Sequence, residues 1–179
     1  MNLQLATFGG GCFWCTEAIF QQVQGVTKVT PGYAGGSEET ANYQMVSRGS
    51  SRHAEVIQIE FDPAQTSYSE LLEIFFTTHD PTTFNQQGND RGPQYRSVVF
   101  YHDDLQKDQA EEAKKNLAPK IWDDPIVTEI SPMEGFWKAE IDHINYYKNV
   151  GNRNPYCTFV ISPKVSKFRK KFAHKLKPA

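Results

Sequence analysis

Apolar positions fall into two rhythms along this chain. Leu3 to Phe8 is a short apolar run that Gly9, Gly10 and Gly11 bring to an end, so it reads as a strand. Beyond the glycines, Phe13, Ala18 (or Glu17), Phe20 and Val23 recur at helical spacing. Val26 to Tyr33 predicts a second strand, closed by Gly32, Gly35 and Gly36, and His53 to Phe61 a third that stops at Asp62-Pro63. Tyr68 to Thr78 returns to the helical period, with Leu71, Leu72, Phe75 and Phe76 inward and Ser67 or Ser69 paired with Glu70 or Glu73 at its start. Tyr95 to Tyr101 predicts a strand, Leu105 to Leu117 a polar helix, Ile126 to Ile130 a strand and Glu140 to Lys148 a short helix; 151–156 is irregular. Residues 37–52 and 80–94 follow no period, and loops of that length call for either function or disorder.

The order strand–helix–strand–strand–helix–strand over residues 3–101 is the split βαβ pattern. The predicted class is therefore α/β (α+β): a ferredoxin-like two-layer sandwich with extra C-terminal elements that extend and cover the sheet. No repeat, low-complexity segment or linker divides residues 1–179, so one catalytic domain is expected. It ends in a basic helix near 163–176, where Val165, Phe168, Phe172 and Leu176 repeat at helical spacing.

Composition narrows the class of partner. Hydrophobic content of 39%, charged content of 22% and a formal charge of −2 suit a soluble globular protein and argue against a dedicated nucleic-acid binder. The charge is uneven, since residues 164–179 hold seven of the nineteen basic side chains and no acid, leaving −9 for everything before them. The apolar stripe in that tail favours docking onto its own domain over a membrane or nucleic-acid contact. No run reaches transmembrane length, Met1-Asn2-Leu3-Gln4 lacks the features of a signal peptide, and three cysteines do not make a disulfide scaffold in a chain of 179 residues. The expectation is a cytoplasmic, monomeric protein in which cysteines serve chemistry rather than structure.

The chemistry concentrates after the glycines. Cys12 falls at the first turn of the first helix, where free N–H groups and the helix dipole favour an anion; its thiol is expected to ionise more easily than a free cysteine. Phe13 and Trp14 follow as an apolar wall. Inert burial is the plainer fate of such a cysteine. Cys12-x-x-Cys15 admits a zinc half-site, but no second ligand pair has a recognised spacing, so no metal is expected; a dithiol at a helix N-terminus is the stronger reading. Gly9-Gly10-Gly11 lacks the residues of a phosphate loop. Glu55, in a strand otherwise rich in Val and Ile, is either an exposed strand residue or, against an apolar wall, a carboxyl that keeps its proton and acts as a general acid. Tyr33 and Tyr95, at strand edges beside glycine-containing loops, are either core aromatics or hydroxyl donors to a bound oxygen.

Five ordered segments then carry a resemblance: Gly10-Gly11-Cys12-Phe13-Trp14, Gly32-Tyr33-Ala34-Gly35-Gly36, His53-Ala54-Glu55, His79-Asp80-Pro81-Thr82, and Gln87-Gly88-Asn89-Asp90 through Gln94-Tyr95-Arg96-Ser97. Over almost its whole length the chain resembles the A-type peptide methionine sulfoxide reductases. The resemblance implies reduction of the S-epimer of methionine sulfoxide, free or in a protein, with no cofactor beyond thioredoxin as reductant. It implies Cys12 as nucleophile, Phe13 and Trp14 as walls for the S-methyl group, Glu55 as proton donor, Tyr33 and Tyr95 as hydrogen-bonding partners and Asp90 as an organising residue. It also implies a resolving thiol: Cys157, in Asn154-Pro155-Tyr156-Cys157, is the first choice and Cys15 the rival, with a relay through both as a third scheme. Two positions depart from the family pattern, Arg52 before His-Ala-Glu and Ile144 after His143, and the second puts a substrate-binding role for that segment in doubt.

Overall fold

The computed structural model describes residues 2–178. Its frame is a six-stranded sheet built from β1 (Gln4–Gly10), β2 (Val26–Ala34), β3 (Ala54–Phe61), β6 (Ser97–Tyr101), β7 (Glu129–Pro132) and β8 (Phe136–Lys138), in the order β7-β6-β1-β3-β2-β8. A two-residue hairpin, β4 (Gln86–Gln87) and β5 (Asp90–Arg91), stands apart. β3 runs antiparallel to both β1 and β2, which are therefore parallel to each other with β3 between them; β6 joins β1 antiparallel and β7 joins β6 parallel. This is a mixed α/β fold.

Both crossover helices, α1 (Phe13–Phe20) and α3 (Tyr68–Thr78), bury apolar side chains in one core with the inner residues of the sheet, among them Phe8, Ile57, Ile59 and Val99. α3 begins at a capping box in which Ser67 accepts from the Glu70 N–H and Glu70 reaches back to the Ser67 N–H. The last long helix, α7 (Ser162–Lys171), lays Val165 and Phe168 into the same core, followed by Phe172, and leaves Lys167, Arg169, Lys170 and Lys171 exposed. The opposite face of the sheet is smaller: Ala34, Ala54, Val56, Val98 and Phe100 are covered by Met133 and Phe136. Gly32 is needed here, since a Cβ would stand 2.5 Å from the Phe136 ring.

Several boundaries differ from the sequence reading. Residues 37–52 contain a short helix, α2 (Tyr43–Ser47), capped by Asn42, whose side chain accepts from the Met45 N–H. The polar helix is α4 (Asp104–Glu112), and it runs on through a π turn into α5 (Ala118–Ile121). Pro119 stands at the start of α5, directly after the π turn. The strand expected over 126–130 forms over 129–132, where β6 offers a parallel partner, and β8 was not foreseen because three residues hold only by pairing with β2. In place of a helix over 140–148 there is a 3₁₀ turn, Ile141–His143, then Asn145 in the left-handed region (φ 57°), then α6 (Tyr146–Val150). The C-terminal helix is likewise divided, into a π turn at Cys157–Ile161, α7, and a 3₁₀ turn at Ala173–Lys175.

Candidate active site

The glycine turn aims Cys12 at the mouth of the core. Gly11 has φ +94°, and a Cβ there would meet the Gln87 side chain at 2.5 Å, so glycine alone fits between β1 and α1. Cys12 is the N-cap of α1 and only 8% exposed; its carbonyl accepts from the Cys15 N–H at 3.1 Å. The expectation that this thiol ionises easily is overturned. Burial, then the neighbouring Cys15 sulfur and the Glu55 carboxyl, raise it well above the ordinary thiol value. The helix N-terminus does act in the expected direction, through the Trp14 N–H, and is outweighed. Cys15 moves the opposite way: hydrogen bonding with Cys12 lowers it most, with Lys164 and Tyr156 helping, against its own burial.

Glu55 lies on the central strand β3, paired with Tyr33 of β2, and α1 covers it. It is 2% exposed, which removes the solvent-facing alternative. One carboxyl oxygen accepts the Phe13 N–H at 3.1 Å, so the first free amide of α1 ends on this side chain. Burial pushes the carboxyl up to about 8, with the charges of Asp90 and Cys15 adding to it and the Phe13 N–H opposing it. The shift favours the protonated carboxyl.

Rings surround these groups. Phe13 is fully buried, its centroid 5.7 Å from Tyr33 and 5.4 Å from His143. Trp14 lies flat on Tyr146, with centroids 3.7 Å apart and planes 7° apart, and its Nε1–H donates to His143 Nδ1 at 3.1 Å. Tyr33 is brought to the site, yet its hydroxyl donates to Glu140 at 2.7 Å, and the other Glu140 oxygen accepts the Tyr43 N–H. Tyr95, half-buried at the end of a 3₁₀ turn (Pro93–Tyr95), makes no hydrogen bond through its hydroxyl among the described residues. Its ionisation is raised by burial first and then by Glu55, Asp90 and Cys12, as that of Tyr43 is by burial, Glu55 and Cys12. Both phenols thus lie close enough to Glu55 and Cys12 to feel their charge.

Asp90 sits on β5 and accepts the Tyr156 hydroxyl at 2.6 Å; that hydroxyl lies 4.0 Å from the Cys15 sulfur. Cys157 follows Tyr156 directly and is fully buried in the π turn. Burial raises its thiol, with the Cys15 charge next, whereas Cys12 responds to Cys15 and Glu55. Electrostatically, Cys15 stands between the other two. All three cysteines are free. Among the described residues, no group of three or more His, Cys, Asp or Glu is placed to hold a metal ion, and no helix is long and apolar enough to cross a membrane.

Sequence reasoning missed Tyr43, Glu140, His143 and Tyr146 as site residues. Tyr43 begins the five-residue α2 inside the unpatterned 37–52 stretch, and Glu140, His143 and Tyr146 come from short turns and a five-residue helix where a single helix was expected, so neither carried a period that pointed to the site. The segment doubted because of Ile144 reaches the site through His143 and Tyr146 instead.

A sequence model of the family described as peptide methionine sulfoxide reductase matches residues 4–176. The peptide methionine sulfoxide reductase MsrA of Ralstonia nicotianae is 54% identical over 179 residues, covering 97% of this chain and 93% of that one. Among solved structures, Mxr1 from Saccharomyces cerevisiae in reduced form is 35% identical with a TM-score of 0.76, covering 86% of each chain. Mxr1 in complex with Trx2 is 27% identical with a TM-score of 0.55, covering 80% of this chain and 84% of that one.

Proposed function

The chain belongs to the peptide methionine sulfoxide reductase family, and on that premise we propose that it reduces the S-epimer of methionine sulfoxide, free or within polypeptides, with Cys12 as nucleophile and Glu55 as acid. The single observation that carries this reading is the buried, protonated Glu55 carboxyl fixed to the Phe13 N–H one residue from the Cys12 thiol. A sulfoxide oxygen leaves sulfur only when protonated, and a neutral carboxyl held in an apolar site is suited to donate that proton.

Cys12 sulfur attacks the sulfoxide sulfur while Glu55 and the free hydroxyl of Tyr95 meet the oxygen, on which negative charge develops. The oxygen ends on Cys12: thiol plus sulfoxide gives sulfenic acid plus thioether, so methionine is released and the proton count closes. Phe13 and the Trp14 face orient the S-methyl group, which is how one epimer is chosen. Asp90 acts through Tyr156, and Tyr33 acts through Glu140. A second thiol then displaces water from the sulfenic acid to give a disulfide. The contact of Cys15 with Cys12, and the charge that Cys15 also exerts on Cys157, support Cys15 as first acceptor and Cys157 as the thiol that carries the disulfide onward. A thioredoxin as final reductant is supported by the yeast relative solved with Trx2.

The strand order β6-β1-β3-β2, with β1 and β2 parallel about β3, supports the ferredoxin-like description of the core, and the entry of residues near both ends into one sheet and core supports a single catalytic domain. Three free cysteines in and around the core support a reducing, cytoplasmic setting.

The test is single turnover of reduced enzyme with excess methionine-S-sulfoxide and no reductant. Two methionines formed and three thiols lost per enzyme, as a Cys15–Cys157 disulfide and a sulfenic acid on Cys12, all abolished in Cys12→Ser, is the expected result. One methionine with two thiols lost stops the chemistry at a single disulfide and removes the onward transfer to Cys157. No methionine returns the site to the dithiol oxidoreductase reading.

A further inference from the structure

Glu17 is a second buried carboxyl, 1% exposed on α1, and the chemistry above gives it no task. Its oxygen accepts the Asn145 N–H at 3.0 Å, and the Tyr146 N–H is also directed at the carboxylate. One turn further along α1, Gln21 donates from Nε2 to the Asn145 side-chain oxygen at 2.6 Å. Trp14, Glu17 and Gln21 are spaced i, i+3 and i+7, so they share one face of the helix. Asn145 is the point at which the chain reverses, in a left-handed conformation, between His143 and Tyr146.

Those two neighbours are the groups that hold Trp14: His143 accepts its indole N–H and Tyr146 stacks on its ring. The helix that carries the tryptophan thus also carries the grip on its stacking partner, and the grip closes on backbone amides, which no side-chain rotamer can move. A buried carboxyl is an expensive way to anchor a loop, since an apolar side chain would avoid the desolvation of the charged form. What the carboxyl adds is a fixed distance between α1 and residues 145–146. We propose that Glu17 is a positioning residue for sulfoxide binding: through Asn145 and Tyr146 it sets the plane of Trp14, the wall against which the substrate's S-methyl group rests. This rests on the reading of Trp14 given above.

The consequence falls on binding rather than on the bond-making step. Cys12 and Glu55 hold their places through β1, β3 and the Phe13 N–H, none of which involves residues 141–150. Removing Glu17 lets the Tyr146 ring leave the indole and the wall tilt, while the attacking sulfur and the proton donor stay put.

The test measures single-turnover methionine formation against methionine-S-sulfoxide concentration in the parent protein, Glu17→Ala, Glu17→Gln and Gln21→Ala, with tryptophan emission recorded on each. Glu17→Ala should raise the half-saturating concentration about ten-fold or more with the limiting rate within about two-fold, the loss expected for hydrogen bonds to a charged group. Glu17→Gln, which keeps one acceptor oxygen, should fall between it and the parent, Gln21→Ala should shift the same way by less, and emission should change in step as Trp14 loses its stacked partner. A folded Glu17→Ala protein with unchanged half-saturation, or a loss confined to the limiting rate, overturns the assignment. Where Glu17→Ala does not fold, unchanged half-saturation in both other variants overturns it equally. A parent protein that makes no methionine sinks the functional reading itself, which is a different result from a competent parent with indifferent variants.

Discussion

Glu55→Gln separates the two consequences of burying a carboxyl beside the reactive thiol. The amide has nearly the same shape and keeps an oxygen for the Phe13 N–H, 3.1 Å away in the parent, so packing is conserved and only the ionisable proton is lost. In the folded parent the carboxyl is pushed from 4.5 up to about 8. Between those values the unfolded chain has released the proton while the folded one still holds it. The stability this group contributes is therefore complete below pH 4.5 and drains away as pH rises through 8. At 1.36 kcal/mol per unit the whole span amounts to roughly 5 kcal/mol, of which about 3 kcal/mol is gone by pH 7. Glu55→Gln has no such slope.

Urea unfolding of both proteins at pH 5, 6, 7 and 8 should show the variant gaining on the parent by about 1 kcal/mol per pH unit. Other buried ionisable groups, Glu17 included, titrate in both proteins and cancel in the difference. At the same time single-turnover methionine formation at pH 7 should fall by about 10²- to 10⁴-fold, the usual worth of a positioned general acid. Parallel stability profiles from pH 5 to 8 would refute the protonated carboxyl, and unchanged turnover would refute its role as acid. A protein made more stable and inactive by one substitution would show that Glu55 is kept for chemistry at the expense of the fold.

Two further outcomes concern Tyr156 and His79. Tyr156→Phe deprives Asp90 of the donor 2.6 Å away and Cys15 of its neighbouring hydroxyl; methionine should form at close to the parent rate, while the later loss of a second thiol slows about ten-fold, measured by quenching and thiol counting. Equal rates for both steps would remove Tyr156 from disulfide formation. His79 is lowered from 6.5 to about 4, by burial first, against the opposing pull of the Phe75 carbonyl it bonds; Ser97 holds its other nitrogen at 2.7 Å. A depressed histidine contributes stability that is complete above pH 6.5 and lost as pH falls through 4, so His79→Gln should close its gap to the parent by about 3 kcal/mol between pH 7 and 4 in urea unfolding. A gap that does not change with pH would show that His79 is not buried in the neutral form.

What the sequence made legible was whatever rests on local pattern. The alternation through β3 and the helical stripes of α1 and α3 placed the central sheet and its crossovers, because each of these elements carries enough apolar residues to declare its own period. The Ser67–Glu70 box was readable for the same reason. β8, α2 and the turn at Asn145 were not, since three to five residues have too little pattern of their own and take their form from partners far along the chain, as β8 does from β2. The site divided along the same line. Cys12, Phe13, Trp14 and Glu55 lie on or next to long regular elements and were legible as candidates, while Glu140, His143 and Tyr146 reach the site from short turns and a five-residue helix through hydrogen bonds and ring stacking that no spacing announces.

The misjudged ionisation of Cys12 shows where local reasoning stops even at a residue it finds. A helix N-terminus acts on an anion with about half a unit charge, and that pull is present in the Trp14 N–H. It is a short-range, modest effect, and a thiol walled in by Phe13 and the sheet forfeits more hydration than one amide returns. The same surroundings push the Glu55 carboxyl up, so one apolar enclosure favours the neutral forms of both Cys12 and Glu55. On the function proposed above, neutral partners suit an uncharged substrate, with charge developing only as Cys12 attacks sulfur and oxygen takes the proton. Cys15, hydrogen-bonded with Cys12 and close enough to Lys164 to feel its charge, is lowered against its own burial, the direction that favours attack by a thiolate in the following step. On this division Cys15→Ser should leave the first methionine and spoil the disulfide. Iodoacetamide at low concentration, with its alkylated position mapped, should find Cys15 before Cys12 in the reduced protein, and the reverse order would return the helix N-terminus to the leading role.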